Sequence, residues 1–317
     1  MASSIKCPSI FVSLPKKMQR AKLILDELAF YESVFDIRKN LRELDDIISA
    51  AESADPEIVE IFGIKDEDFY SLERDGKNVS EELFSENNTE FRDLVVRLQI
   101  LISKWSSLPE RGIGDEDEGI GVSILKSDGS GALLAITRPE PPCWWDDIRM
   151  HVVSRPADLP AALRKHFIEA KIEEKHFPFF CQGMFPNLYF HASPDRLKNL
   201  GVSYTQHVRS IVAYFSYLND FASDHFDCDE DHVIIANAGS KGVAISPESP
   251  KTRKNGDAME ERDIEIDGEK LRCEWHAKIT ATCGRIHFYA RKGRPEKVKS
   301  KTGVKVIIGI LADHLKI

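Results

Sequence analysis

Two histidines of this chain, His276 and His287, sit where chemistry is easiest to build. Each lies in a run of strict alternation, Cys273-Glu274-Trp275-His276-Ala277-Lys278-Ile279 and Arg285-Ile286-His287-Phe288-Tyr289. Side chains on a strand alternate between faces. One face therefore collects Trp275, Ala277, Ile279, Ile286 and Phe288, all apolar. The other collects Glu274, His276, Lys278, Arg285, His287 and Tyr289. With residues 280–283 as a four-residue hairpin loop, the opposed pairs are Lys278/Arg285, His276/His287 and Glu274/Tyr289. Such pairs stand roughly 5 Å apart at Cβ. Two facing imidazoles beside two cations are costly on a plain solvated face. They are useful for handling a phosphate, because imidazole exchanges protons near neutral pH and Lys and Arg hold phosphate charge.

The elements that would position this ribbon follow from spacing. Residues 188–190 read as a strand. Ser193 can cap a short helix over 194–199, ended by Gly201. Residues 204–226 read as a long helix with Val208, Ile211, Val212, Phe215, Leu218, Asn219 and Ala222 inward. Strands are expected over 272–279, 285–290 and 305–311. Residues 246–256 read as a polar, proline-containing loop.

Upstream, residues 15–53 read as helical from Leu25, Leu28, Tyr31, Phe35, Leu41, Leu44 and Ile48, with a break or turn near Asp36 to Asn40. A short helix starts near Asp66. Thr89 can cap another that buries Phe91, Leu94, Val95, Leu98 and Leu101, with Trp105 near its end. Residues 112–121 look glycine-rich but hold four carboxylates and lead into no helix, so they make a poor phosphate loop. A hairpin over 122–125 and 132–137 is expected instead, then a rigid Pro139–Pro142 turn, Trp144 and Trp145, a strand over 148–153 and a helix over 158–172 capped by Asp158. The aromatic group from Phe177 to Phe180 reads as core.

At 317 residues with 42% hydrophobic residues, two domains are the better expectation than one. We expect a helical region over 1–110, a mixed region over 111–185 and an α+β module over 186–317 with an inserted loop at about 227–263. The N-terminus lacks the apolar region of a secretory signal and no apolar run approaches a membrane span of ~20 residues. Six scattered cysteines suggest a reducing, cytoplasmic setting. The net charge of −9 is uneven: residues 264–317 hold 12 Lys and Arg against 6 Asp and Glu, and residues 1–263 hold 31 against 46. A basic end on an acidic body suggests a polyanionic partner, with the acidic part as its cover. Arg291, Lys292 and Arg294 belong either to that contact or to a solvated loop.

The order strand, short helix, long helix, three strands, with Tyr189-Phe190 leading into Ser193-Pro194-Asp195-Arg196-Leu197, resembles the RelE/ParE superfamily of toxin–antitoxin toxins. His276-Ala277-Lys278-Ile279 looks like the basic alternating strand of the RelE-type mRNA interferases. Gly284-Arg285-Ile286-His287-Phe288 looks like their glycine–x–arginine strand, whose arginine contacts RNA phosphate. Residues 306–314 look like their apolar last strand, with His314 as its basic end. The inserted loop at about 227–263, the histidines in place of lysine or arginine and the large N-terminal region depart from that pattern. The resemblance implies an α+β toxin-like endoribonuclease acting on RNA, ribosome-bound mRNA included. It also implies restraint by an antitoxin or by the acidic N-terminal region. A homo-oligomer and a role in phage defence fit it. The ParE-like branch binds a protein target instead, so a non-catalytic binding module is the alternative.

Metal-free RNA cleavage needs a base for the 2′-hydroxyl, an acid for the leaving 5′ oxygen and cations for the charged transition state. His276 and His287 would divide acid and base on a wet face. Lys278 and Arg285 would hold the phosphate, and His314 would complete the site. Glu274 would orient a histidine, and Tyr289 would stack on a base. Cys273, His276, Cys283 and His287 have zinc-ligand content, but positions 273 and 276 point to opposite faces of a regular strand. No metal and no cofactor are therefore expected.

Overall fold

A computed structural model describes residues 18–25, 33–62, 66–104, 132–135, 150–227 and 230–317, and it is built on two sheets. The first is parallel, in the order β2-β1-β5-β6, from β1 (Ala21–Leu25), β2 (Val59–Phe62), β5 (Ala132–Ala135) and β6 (Met150–Val152). Between β2 and β5 lies a two-residue ribbon, β3 (Glu73–Arg74) with β4 (Lys77–Asn78). Parallel strands are covered on both faces, so they are short apolar runs without alternation. Ala21, Leu23, Ile24 and Leu25 are all buried. Each fully buried aliphatic side chain stabilises by about 1.5–3 kcal/mol.

Helices α1 (Ile37–Ser53) and α3 (Leu159–Glu169) lie on this sheet, and α2 (Arg92–Lys104) packs against α1. Asp36 opens α1 by accepting from the Lys39 N–H. The helix buries Ile37, Leu44, Ile47, Ile48 and Ala51 at helical spacing. The expectation of a helix over 15–53 is thus corrected at its start. A five-residue, mostly apolar segment with Lys22 in it reads equally as strand or helix by periodicity, and pairing with β2 and β5 settles it as a strand. Of the hairpin expected over 122–125 and 132–137, the described part is β5, whose two neighbours, β1 and β6, are both parallel to it. Thr89 lies inside a 3-10 turn, Glu86–Phe91, that Ser85 caps instead. Asp158 makes no side-chain cap bond to its helix. The expectations at 105, 112–125, 127–131, 139–142, 144 and 145 fall outside the described residues.

The second sheet runs β7-β13-β12-β11-β8. Its strands are β7 (Leu188–Phe190), β8 (Ile245–Pro247), β11 (Trp275–Lys278), β12 (Arg285–Tyr289) and β13 (Val306–Ala312). β7 pairs parallel to β13, and every other pair is antiparallel. A separate hairpin joins β9 (Asp263–Ile266) and β10 (Glu269–Arg272). Between β7 and β8 stand a 3-10 turn, Pro194–Leu200, and the long helix, called α5 below, Tyr204–Asp220. The helix expected over 204–226 breaks at Phe221, where a short turn Ala222–His225 begins.

The region expected as an inserted loop is structured. It forms α6 (Asp231–Ser240), edge strand β8 and two short helices, Pro250–Arg253 and Gly256–Glu260. Proline is tolerated in β8 because an edge strand need not donate on both sides. Ser249 caps the first short helix by accepting from the Thr252 N–H, and Asn255 caps the second from Ala258.

One apolar core joins the two sheets. Helix α4 (Phe177–Met184) sits at their junction. Phe177 meets Phe167 and Phe215 at ring separations of 5.7 Å, and Phe215 meets Phe190 of β7 at 5.5 Å. Arg164 of α3 crosses to α5, pairing with Asp220 through two bonds of 2.5 and 2.9 Å and donating to the Met184 carbonyl at 2.7 Å. The chain is a mixture of α and β with its sheets segregated, in keeping with an α+β class, and its first sheet draws strands from both sides of residue 110.

Candidate functional site

The site is built on the β11–β12 ladder. Lys278 pairs with Arg285, His276 with His287 and Trp275 with Phe288, which ends the ladder. Trp275, Ala277, Ile286 and Phe288 face the shared core. Gly284 has φ +76 and closes the loop where the Ile279 N–H donates to its carbonyl at 2.8 Å. The two imidazoles share a face, with ring centres 5.2 Å apart.

That face is covered, and this corrects the expectation of a wet one. The β9–β10 hairpin packs Ile264, Ile266 and Leu271 over Ile307, with Val298 beside them. Residues 248–262 cover the rest. His276 is 8% exposed and His287 1% exposed. What remains open is a cleft of about 260 Å³, lined by Ser246, Glu248, Lys278, Arg285, His314 and both histidines among others.

Glu248 and Arg262 are the buried charges at its base. Glu248 directly follows β8, and its backbone N–H donates to the Glu274 carbonyl at 3.1 Å. Arg262 precedes β9. Its Nε donates to Glu248 Oε1 at 2.7 Å, and its two terminal nitrogens donate to the Ala258 and Lys316 carbonyls. The same carboxylate oxygen stands 3.4 Å from His276 Nδ1 and 3.9 Å from His287 Nδ1. Burial alone would raise the Glu248 pKa. His276 and then Arg262 outweigh it, and the carboxyl is lowered to about 2. His287 is lowered to about 3, first by burial and then by the neighbouring His276. Its ring is therefore neutral at physiological pH.

Each imidazole has one nitrogen held and one bare. His276 Nε2 is 3.4 Å from Ser246 Oγ, its cross-strand neighbour on β8. His287 Nδ1 is 3.4 Å from the Cys273 carbonyl. His276 Nδ1 lies within ion-pair distance of Glu248 but outside hydrogen-bond geometry, and His287 Nε2 has no hydrogen-bond partner.

Of the expected site residues, five line the cleft: His276, His287, Lys278, Arg285 and His314. Arg285 is buried and spends its guanidinium on the hairpin loop, donating to the carbonyls of Thr280, Ala281 and Cys283 at 2.9–3.0 Å. His314 is exposed just past β13, with Nδ1 2.7 Å from the Leu315 carbonyl. The other five stand apart. Glu274 is ion-paired with Arg253. Tyr289 donates its hydroxyl to the Gly293 carbonyl at 2.5 Å and packs on the smaller apolar cluster with Arg294 over its ring. Arg294 is buried, bonded to Thr302 and to the Lys305 carbonyl. Lys292 pairs with Asp227 at 2.6 Å, and Arg291 is exposed beside it. Cys273 lies in the apolar cluster, and Cys283 Sγ is 3.1 Å from Thr280 Oγ1. Neither thiol joins the histidines.

Sequence reasoning missed Glu248, Arg262 and Ser246. The one local signal was Ser249-Pro250, a helix start that marks 246–256 as more than a loop.

No protein-family model matches this chain, no curated protein matches it, and no solved structure matches it.

Proposed function

We propose that the cleft on the second sheet is a metal-free RNA-cleaving site of the RelE-like, toxin-like kind, with His276 as its base. The carrying observation is the setting of His276. A charged carboxylate, Glu248, stands 3.4 Å from Nδ1, and Nε2 meets a hydroxyl, Ser246 Oγ, in the cleft. A carboxylate at Nδ1 favours the Nδ1–H tautomer and makes Nε2 the basic nitrogen. A ribose 2′-hydroxyl taking the place of Ser246 Oγ would give its proton to Nε2 and attack the adjacent phosphorus. The leaving 5′ oxygen would take its proton from His314, exposed on the same cleft. Lys278 and the buried guanidinium of Arg285 would supply positive charge to the phosphate. His287 would act as neutral backing for His276 rather than as a second titrating group.

What supports the RelE-like reading is the order β7, a short 3-10 turn, α5 and, after an intervening segment that holds α6, β8, β9 and β10, the strands β11, β12 and β13 in one sheet with β7 and β8. The acidic remainder of the chain is the proposed restraint on the basic end. The test is digestion of RNA by the purified full chain in EDTA, with the new ends analysed. Cleavage leaving 2′,3′-cyclic phosphate is expected, reduced at least ~100-fold in His276→Ala with circular dichroism unchanged. Unaltered cleavage in a folded His276→Ala chain overturns the reading. Retarded but uncut RNA would leave a binding module.

A further inference from the structure

We propose that Glu248, His276 and His287 form a binding site for one transition-metal ion of the zinc class, exclusive with the proposed base role of His276. The inference goes beyond the cleavage reading and does not depend on it.

Three observations carry it. First, one donor atom from each of the three residues lies within 4.8 Å of the others, and all three residues are buried. Two imidazoles and a carboxylate are a donor set that Zn²⁺ and its neighbours favour. Two donors each about 2.0–2.1 Å from a tetrahedral ion stand about 3.4 Å apart. His276 Nδ1 and Glu248 Oε1 have that separation without hydrogen-bond geometry.

Second, each ring keeps a buried nitrogen without a hydrogen bond, His276 Nδ1 and His287 Nε2, while His287 Nδ1 stands 3.9 Å from Glu248 Oε1. His287, 1% exposed, turns Nδ1 to the Cys273 carbonyl and leaves Nε2 unpartnered. An unsatisfied buried polar atom costs roughly 1–3 kcal/mol and calls for an ion, a water or a function. Metal-bound histidines commonly give their other ring N–H to a carbonyl or other oxygen, which fixes the tautomer and the ring. Ser246 Oγ serves His276 in this way, and the Cys273 carbonyl holds the His287 ring through Nδ1. Arg262 Nε fixes the carboxylate by donating at 2.7 Å to the same oxygen, Oε1, that faces His276 Nδ1.

Third, the site has an open side. His276 and Glu248 both line the cleft, so water or an incoming oxygen can take the remaining position. The Cys/His spacing in the sequence pointed elsewhere, because the third donor, Glu248, comes from the residue after β8 and not from either cysteine.

A metal on Nδ1 leaves the His276 proton on Nε2, where the base needs a lone pair. The two states are therefore alternatives of one imidazole.

The experiment uses the full chain stripped with EDTA and titrated with zinc chloride by calorimetry, in parallel with cobalt chloride followed by visible absorption. One equivalent is expected, with the intense absorption of four- or five-coordinate cobalt. Affinity should fall at least tenfold in His287→Gln and in His276→Gln. Circular dichroism checks folding. His287→Asn serves as a second variant if Gln unfolds the sheet. No binding by the wild-type chain, or full binding in a folded His276→Gln/His287→Gln double variant, overturns the proposal. Binding is read without RNA, so failure to cleave leaves the metal site standing, and failure to bind metal leaves the cleavage reading standing.

Discussion

At the residue scale, Glu248 decides most. It is an ion pair with Arg262 and a neighbour to two imidazoles, all in a covered pocket. Removing one partner of a buried pair strands the other, which typically costs about 3–5 kcal/mol. Glu248→Gln should destabilise the chain by a figure near the lower end, read as a drop in urea midpoint. Acid should act on the same group of residues. His287 stays neutral down to about pH 3 in the folded chain, whereas an unfolded histidine takes its proton near ~6.5. Between those values the unfolded chain binds more protons, so stability falls as pH is lowered from about 6.5 toward 3. Glu248, at about 2 against an ordinary 4.5, adds a second loss as pH falls below 4.5. Urea midpoints measured in EDTA across this range should show the slope, and His287→Leu should flatten its upper part. If both proposals hold, zinc suppresses RNA cleavage and EDTA restores it.

At the scale of elements, the β11–β12 hairpin owes its loop to Arg285. That guanidinium donates to the Thr280 and Ala281 carbonyls and adds a donor to that of Cys283, which the Thr280 N–H and hydroxyl also reach, and a planar five-donor fork does this where an ammonium does not. Arg285→Lys should therefore lower stability by roughly 1–3 kcal/mol, in thermal unfolding, nearly as much as Arg285→Ala. Gly309 of β13 is a second fixed point: a Cβ there would collide with Cys273 Sγ and stand 3.2 Å from its Cβ. Gly309→Ala should cost about 1–3 kcal/mol, and Cys273→Ala should recover part of it in a double-mutant cycle. This ribbon was legible in the sequence because period-two alternation fixes both faces and register at once, and the Lys278/Arg285 and His276/His287 pairs follow from it. β1 was not legible, because four apolar residues around Lys22 carry no period that separates strand from helix. Glu248 and Arg262 were not legible either, because only the fold brings the end of β8 and the start of β9 against the histidines.

At the scale of the molecule, the two sheets share one core, with Phe177, Phe185 and Phe215 between them. Cutting near residue 185 would expose these rings, so urea unfolding followed by tryptophan fluorescence and by circular dichroism should give coincident single transitions. Arg164→Ala should shift that common midpoint downward, because it removes the bridge from α3 to Asp220 and the Met184 carbonyl. The position of β13 has a consequence for synthesis. It is the strand between β7 and β12, so its backbone completes the ladders on both sides. A nascent chain that has not reached residue 306 has β7 and β12 without their shared neighbour, and lacks His314, Leu315 and Ile317 of the cleft lining. The second sheet, and the cleft on it, is therefore completed only once this strand has been synthesised and has paired on both sides.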